Sequence, residues 1–378
     1  MKKYKILLVV RWPIGGIRTF FRYVYKNFDS NRYHFVVIAP ALPEINFLLE
    51  DLGELDLRYI SAGKNVGDKE FFRVVTRLIR NEDFDLVHSH GFTAGVCSTL
   101  GSSLMRIPHI ITLHETLGDG RFIGLKGLFK KFALGVILSM IDAIQCVSRD
   151  ARDNLLSYLK VLRLFEWKVT VIQNGIEIER FLTSAVRDLR QELNLPQNSF
   201  LIGFLGRYMP EKGFSYLVRA LEKVQKEEEL PKRPVLLSFG PEDGFIREER
   251  ENVKRMGLAE SVCFLPFVSD VGSTLKGLDV IAIPSLWEAC PLLPMEAMVS
   301  GVPLIGTNCI GLREVLKDTP ATVVPAKDSL ALSEALSMEM RNPTTAKARE
   351  FVTEAAARFQ VKERAAEIEK LMLKFLER

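Results

Sequence analysis

"IAIPSLWEACPLLPMEAMVSGVPLIGT", running from Ile281 to Thr307, is apolar and small-sided except for two carboxylates, Glu288 and Glu296. Pro291 and Pro294 lie between them with two leucines. The stretch reads as a strand, a loop, a helix opening near Pro294, and a second strand at "PLIGT". Carboxylates at a helix start can simply answer the helix dipole. The alternative is that one on the loop and one inside the helix face a common ligand, while the other side of the helix is buried.

The same alternation extends outward in both directions. "FLIGFLG", "PVLLSFG", "VCFLPFV" and "LDVIAIPS" precede or enter the stretch as short β-branched runs, with "FSYLVRALEKVQKE" as an intervening helix. Nearer the start, "KILLVV", "HFVVIAP", "DLVHSH", "HIITLH", "AIQCVS" and "VTVIQN" are strands of the same kind. Each is apolar on both faces and is followed by Gly, Pro, Ser, Asn or His, which predicts a parallel sheet covered by helices on both sides. "GIRTFFRYVYKNF" and "EFFRVVTRLIRN" carry apolar residues at helical spacing.

A polar stretch ending in Pro196, "FLTSAVRDLRQELNLPQNS", separates the two series. The expectation is therefore an α/β chain of two Rossmann-like domains, 1–180 and 198–355, with a linker over 181–197. A terminal helix at about 356–378 is expected to pack back beside the domains. A length of 378 residues suits two or three domains, and 47% hydrophobic with 26% charged residues suits large buried cores.

The net charge of +4 is too mild to imply nucleic acid. It is uneven: the first 180 residues hold 25 Lys and Arg against 19 Asp and Glu, and the remainder 26 against 28. A basic first half suits an acidic or membrane-bound partner, and uneven solvated charge is the plainer reading. The cysteines (Cys97, Cys146, Cys263, Cys290, Cys309) contain no C-x-x-C and suit reduced, buried thiols in a cytosolic protein. "MKKYKILLVV" reads as a first strand rather than a signal peptide, and "FALGVILSMI", Phe132–Ile141, is about half the length a membrane span needs.

Ligands of open parallel sheets sit beyond the carboxyl ends of the strands. The residues there are Gly15-Gly16, where a helix start could hold a phosphate; His88 and His90; His114 followed by Glu115; and Arg207 and Lys212 in "GRYMPEKG". A forked guanidinium and a point-charge ammonium on one strand–helix loop suit a diphosphate, though loop cations are usually only solvated. Asp83-x-Asp85 looks like a metal-binding pair, but Asp85 leads straight into a buried strand, so a turn-and-cap role is expected.

In order along the chain, "GGIRTF", "VHSHG", "ITLHE", "VIQNGIEIERF", "GR…KG", "LDVIAIPS" and the glutamate pair resemble the retaining nucleotide-sugar glycosyltransferases of the large family four, which have the GT-B fold. Glu288-x7-Glu296 is similar to that family's E-x7-E element, and the likeness spans nearly the whole chain. It implies two Rossmann-like domains with a cleft between them, an acceptor-binding first domain and a donor-binding second. Arg207 and Lys212 would grip the donor diphosphate, approached by Gly16 and by the amides of Leu292 and Leu293. Glu296 would take the ribose, and Glu288, Cys290 and Pro291 the donor sugar. His114 would lie near the sugar's reactive face, so His114, Glu288, Arg207 and Lys212 form the catalytic set. Phe267 and Val268 are candidates beside the base, and His90 and Glu115 on the acceptor side.

The resemblance also implies no metal and no cofactor, only a nucleotide-diphosphate sugar as co-substrate. No covalent nucleophile stands out, and the family's front-face substitution would let the leaving phosphate help deprotonate the acceptor. The acceptor would be a saccharide or a lipid-linked sugar in bacterial-type surface glycan or glycolipid synthesis, taking a hexosyl or N-acetylhexosaminyl group. Pro291 departs from the family, where glycine is common; it removes one amide donor and leaves the sugar open.

"RFIGLKGLFKKFALGVILSMI" sets Arg121, Lys126, Lys130 and Lys131 before and within an apolar helix. Over 121–141 an interfacial helix on anionic lipid would suit a lipid-linked acceptor, at the inner face of the membrane. An ordinary domain helix with a charged start is the preferred reading. Among rivals, a nucleotide-sugar epimerase lacks "GR…KG", and a phosphorylase would need lysine-bound pyridoxal phosphate. A catalytically silent GT-B protein that binds a partner would not need all of Arg207, Lys212, Glu288 and Glu296. A dinucleotide-binding dehydrogenase is disfavoured because no G-x-G-x-x-G follows the first strand.

Overall fold

The computed structural model describes residues 3–118, 120 and 122–377. The chain forms two compact units, one of Met1–Gly175 with Val361–Arg378 and one of Ile176–Gln360.

The first unit is built on seven strands: β1 (Tyr4–Val10), β2 (Tyr33–Ala39), β3 (Leu57–Ser61), β4 (Leu86–His90), β5 (His109–Leu113), β6 (Ala143–Cys146) and β7 (Val169–Val171). They lie in the order β3-β2-β1-β4-β5-β6-β7, every pairing parallel. Ile6–Val10 and Phe35–Ala39 are fully buried, as strands with helices on both faces must be. One face packs Leu7, Val9, Val36, Ile38 and Val87 against Phe71, Val75 and Ile79 of the helix Asp68–Asn81.

The second unit repeats the pattern with β8 (Ser199–Leu205), β9 (Arg233–Phe239), β10 (Val262–Leu265), β11 (Val280–Ile283), β12 (Leu304–Thr307) and β13 (Thr322–Val324). Their order is β10-β9-β8-β11-β12-β13, again all parallel. Ile202, Phe204, Leu236, Val280 and Ile305 meet Phe214, Leu217 and Leu221 of the helix Phe214–Gln225 in its core. In both units the strand carboxyl ends form one edge, and the loops along it carry the residues singled out in the sequence.

The division comes earlier than the polar stretch over 181–197 suggests. Ile176 pairs with Gln360 and donates its amide to the Phe359 carbonyl at 2.9 Å. Arg187 binds the Thr274 hydroxyl at 2.9 Å, and the Arg190 guanidinium pairs with Asp279. Residues 181–197, expected as a linker, are thus fastened to the second unit by these arginines.

The terminal helix is Val361–Leu376 and belongs to the first unit; residues 356–360 stay with the second. It buries Val361, Ala365, Ile368, Leu371 and Met372, and lies against β4 and the helix Gly16–Tyr25. Tyr33 donates its hydroxyl to Glu369 at 2.7 Å. Ile368→Ala is expected to lower stability by about 2–4 kcal/mol, because three carbons of a buried side chain are removed and their volume is left unfilled. A denaturant midpoint equal to that of the parent protein would show that this helix is not part of the first unit's core.

Candidate active site

In the second unit the loop after β8 carries Arg207, a short helical turn Pro210–Lys212, and then Gly213. Gly213 has φ +68°, and a Cβ there would stand 1.9 Å from the Pro284 carbonyl oxygen. Only glycine lets this loop lie so close to the end of β11. The loop is tied down as well, since Leu286 donates its amide to the Glu211 carbonyl at 2.7 Å. Gly311 closes the far side: it has φ +77°, its Cβ would fall 2.3 Å from the Glu288 carbonyl oxygen, and Glu288 donates its amide to Ile310 at 3.0 Å.

This clamp brings Lys212 and Glu288 together. Lys212 Nζ lies 2.7 Å from Glu288 Oε1, and the same oxygen accepts from Ser285 Oγ at 2.8 Å. Thr307 in turn donates its hydroxyl to the Ser285 carbonyl. A mostly buried carboxylate therefore orients an ammonium whose outer side is still partly exposed. Such a cation is set in place before an anion arrives, which is the arrangement that stabilises developing charge most cheaply.

Gly213→Ala is expected to cost on the order of 3 kcal/mol through the left-handed backbone and the clash with Pro284. It should also weaken binding of an anion at Lys212, so a thermal melt and a ligand titration would fall together. A parent-like melting temperature would show that the clamp is not rigid.

Arg207 does not join this pair. It is exposed and stands 3.3 Å from Asp243, on the loop after β9. Glu296 is only 8% exposed and sits in the first turn of the helix Leu293–Val299. Cys290 is buried, while Pro291, Leu292 and Leu293 are half-buried along the approach to that helix. Phe267 is exposed and Val268 half-buried on the loop after β10, at the same edge of the sheet. Ser285 and Thr307 escaped sequence reading because each looked like an ordinary residue closing a strand.

In the first unit Gly16 begins the helix Gly16–Tyr25. His88 and His90 on β4, Thr112 at the end of β5 with His114 just beyond it, and Gln145 on β6 form a polar row on one face of the sheet. Tyr25 bonds His88 Nδ1 and His90 Nε2, each at 2.9 Å, and His90 Nδ1 bonds His114 Nε2 at 3.1 Å. His88 Nε2 lies 2.8 Å from Thr112 Oγ1, which donates to Gln145 Oε1 at 2.7 Å. On the other face of β4, Ser89 reaches His109 Nε2 at 2.8 Å.

Burial pushes His88 and His109 down to about 3. It likewise holds His90 and His114 well below the usual imidazole range, so all four rings are neutral near pH 7. Phe20 meets the His114 ring edge-on at 4.7 Å, and His114 stacks on His90 at 5.4 Å.

One expectation changes here. His90 is 1% exposed and is a link between Tyr25 and His114, so it offers no surface to an acceptor. Glu115 is half-buried beside the Gly91 turn. Asp85 accepts from the Lys5 amide at 2.8 Å and returns its own amide to the Lys5 carbonyl, tying β4 to β1. Asp83 is exposed in the turn before it. Among the described residues, no three His, Cys, Asp or Glu side chains converge as a metal site.

Two parallel-sheet units with these loops at their strand ends define the GT-B fold, and solved structures share it. The Anabaena HepE structure in complex with UDP and glucose superposes with a TM-score of 0.82 at 21% identity, covering 98% of this chain and 100% of that one. A sucrose-phosphate synthase of Thermosynechococcus elongatus superposes with a TM-score of 0.74 at 18% identity, covering 99% of this chain and 100% of that one. The model of glycosyl transferases group 1 matches residues 186–359, and that of Glycosyltransferase Family 4 matches residues 14–180. The chain belongs to this group 1, family 4 glycosyltransferase family.

Among curated relatives, the UDP-Gal:alpha-D-GlcNAc-diphosphoundecaprenol alpha-1,3-galactosyltransferase of Escherichia coli is 27% identical over 62% of this chain and 62% of its own length. A D-inositol 3-phosphate glycosyltransferase of Stackebrandtia nassauensis is 26% identical over 62% of this chain and 55% of its own. The match thus spans less than two thirds of either relative.

Proposed function

We propose that this protein transfers a sugar from a nucleoside-diphosphate sugar to an acceptor hydroxyl, with retention at the anomeric carbon and without a metal. The observation that carries this reading is the Lys212–Glu288–Ser285 group, clamped at the strand ends of the second unit by Gly213 and Gly311. In the reaction the bond from the anomeric carbon to the diphosphate oxygen breaks and one to the acceptor oxygen forms. The acceptor's proton passes to the departing phosphate. Lys212, with Arg207 released from Asp243, would meet the charge that grows on the leaving group.

Glu296 is assigned to the ribose, and Leu292 and Leu293 supply amides at the start of its helix. Glu288, Cys290 and Pro291 are assigned to the sugar. Phe267 and Val268 are assigned to the base, Gly16 to the phosphate and His114 to the sugar from the first unit. A uridine nucleotide is the first donor to try, because the E. coli relative is named for UDP-galactose and the HepE structure holds UDP. Calorimetric titration of UDP, GDP, ADP and their sugar conjugates is expected to show binding of one nucleotide, unaffected by EDTA and lost in Arg207→Ala and Glu296→Ala. No binding by a folded chain would replace this reading with a partner-binding one.

The acceptor is proposed to be lipid-linked and met at an anionic membrane surface. The helix Gly124–Ser139 turns Leu125, Leu128, Phe129, Phe132 and Val136 outward, with Leu125 87% and Phe129 73% exposed. Exposed Leu104 and Met105 on the adjoining helix Phe92–Met105, and exposed Leu164 and Trp167, extend the apolar surface, and Lys126 and Lys130 flank it. An apolar stripe with lysines beside it suits insertion among acidic headgroups. Arg121 lies outside the described residues, and among those described no helix is long and apolar enough to cross a membrane. Cosedimentation with anionic vesicles is expected, weakening as salt rises and lost in a Phe129→Ser, Phe132→Ser variant. Equal recovery with neutral and anionic vesicles would remove the acidic headgroups from the proposal, and no cosedimentation, or an unaffected variant, would remove the membrane.

A further inference from the structure

The polar row beneath the helix Gly16–Tyr25 has a direction that can be read from one end. The Ile172 carbonyl can only accept, so Gln145 must present its Nε2 there, at 3.3 Å. That turns Gln145 Oε1 toward Thr112, whose hydroxyl uses its one proton on it at 2.7 Å. The Thr112 oxygen must then receive a proton from His88 Nε2, at 2.8 Å.

A neutral imidazole protonated at Nε2 has a bare Nδ1. Tyr25 therefore donates to His88 Nδ1, and its oxygen accepts from His90 Nε2, each at 2.9 Å. His90 Nδ1 is left bare and receives the proton on His114 Nε2, at 3.1 Å. Reversing the chain would set the Gln145 and Ile172 carbonyls against each other in a buried place, an expensive arrangement. Phe20 against one part of the His114 ring and His90 stacked on another hold its orientation.

We propose that Tyr25, with His88 and His90, is a positioning residue: the chain anchored at Gln145 fixes His114 as the Nε2–H tautomer, so that its bare Nδ1 accepts a hydrogen bond from a hydroxyl of the sugar substrate. The proposal deepens the reading of His114 given above and rests on it for the identity of the ligand. It makes the site selective in sign. A hydroxyl or another donor is welcome at Nδ1, and a group that can only accept is not. Neutral rings are essential, since an extra proton anywhere along the row would put two donors face to face, and the burial of these imidazoles keeps them neutral.

The test is long-range proton–nitrogen correlation NMR of the full chain labelled with ¹⁵N-histidine, near neutral pH, with His114→Gln assigning the His114 signals. The parent protein is expected to show His114 protonated at Nε2 alone. Tyr25→Phe removes the link that fixes His90, so the His114 signals should move toward a mixture of tautomers. Thr112→Val, which keeps the side-chain shape and removes the hydroxyl, is the second variant should Tyr25→Phe not fold. A parent protein with the proton on His114 Nδ1, or averaged between the nitrogens, would overturn the wiring, as would an unchanged Nε2–H signature in every folded variant. These signals are read without ligand, so the wiring can fail while nucleotide binding stands. Conversely, a failed donor titration would leave the tautomer result intact and remove only its assigned ligand.

Discussion

Lys212→Ala is expected to slow transfer from the nucleotide sugar by roughly 10²–10³-fold, the usual consequence of removing one preorganised stabiliser of a leaving group's charge. Two effects act in the same direction. The ammonium 2.7 Å from Glu288 Oε1 is lost, and Glu288 remains, mostly buried, with Ser285 as the other side chain donating to that oxygen. The carboxylate then opposes the diphosphate it had helped to bind. Because the cation acts on charge that grows as the bond breaks, the loss should fall on kcat more than on donor KM. Lys212→Arg keeps the charge but spreads it over a wider, planar group, and an intermediate rate is expected. Thermal melts within a few degrees of the parent would show that the fold is intact. A single-turnover rate near that of the parent protein would remove Lys212 from leaving-group stabilisation.

The second large effect is loss of the first unit's stability in mild acid. His88 and His109 are held at about 3 in the folded chain by burial, and His90 and His114 are also depressed. Above the ordinary imidazole pKa of about 6.5 both folded and unfolded chains carry neutral rings, and stability is complete. As the pH falls below that value the unfolded chain takes up protons and the folded one does not, so stability is lost progressively toward pH about 3. For one imidazole held at about 3 the loss over the whole interval is on the order of 4–5 kcal/mol. His88, His90 and His114 repel one another once charged, which should make the transition steep.

His34, partly exposed and hydrogen-bonded to Asp56, lies outside this cluster. Asp56 is lowered by its hydrogen bonds from Lys3 and His34, and Glu82, against its burial, by Lys5 and Arg58, so both keep their charge from about pH 6.5 to 5. Burial raises Glu249 and Glu339 in the second unit, whose protonation would add stability as the pH falls, so a loss of stability over that interval reports on the imidazoles. Denaturant midpoints at several pH values within it should fall with pH. Midpoints independent of pH there would mean that the rings are not buried as neutral groups.

Much of this molecule was legible in short stretches of chain. Apolar runs such as Ile6–Val10 and Phe200–Phe204, with no polar side chain in them, require burial on both faces, and that condition selects parallel sheets under helices. The glutamate spacing, the Gly213 turn and the order of the motifs sit within local windows, so the family and the strand-end positions of its residues follow from sequence, whereas the close approach of Gly311 to the Glu288 carbonyl does not. The unit boundary did not follow, because Arg187 and Arg190 look solvated until Thr274 and Asp279 are placed beside them.

What tertiary structure alone decided is which partners those residues have. Nothing local to Lys212 points to Glu288 or to Ser285, since the contact depends on β8 and β11 being neighbours in the sheet. Tyr25 ends a helix whose pattern is that of any covering helix, yet its hydroxyl joins His88 to His90. The polar row of His88, His90, Thr112, His114 and Gln145 is written at two-residue spacing or singly in separate strands, and only strand order brings it together. Sequence determines the period of burial because that is a property of consecutive residues. Hydrogen-bond partners and proton positions depend on distances closed by the fold, and there the tertiary structure decides.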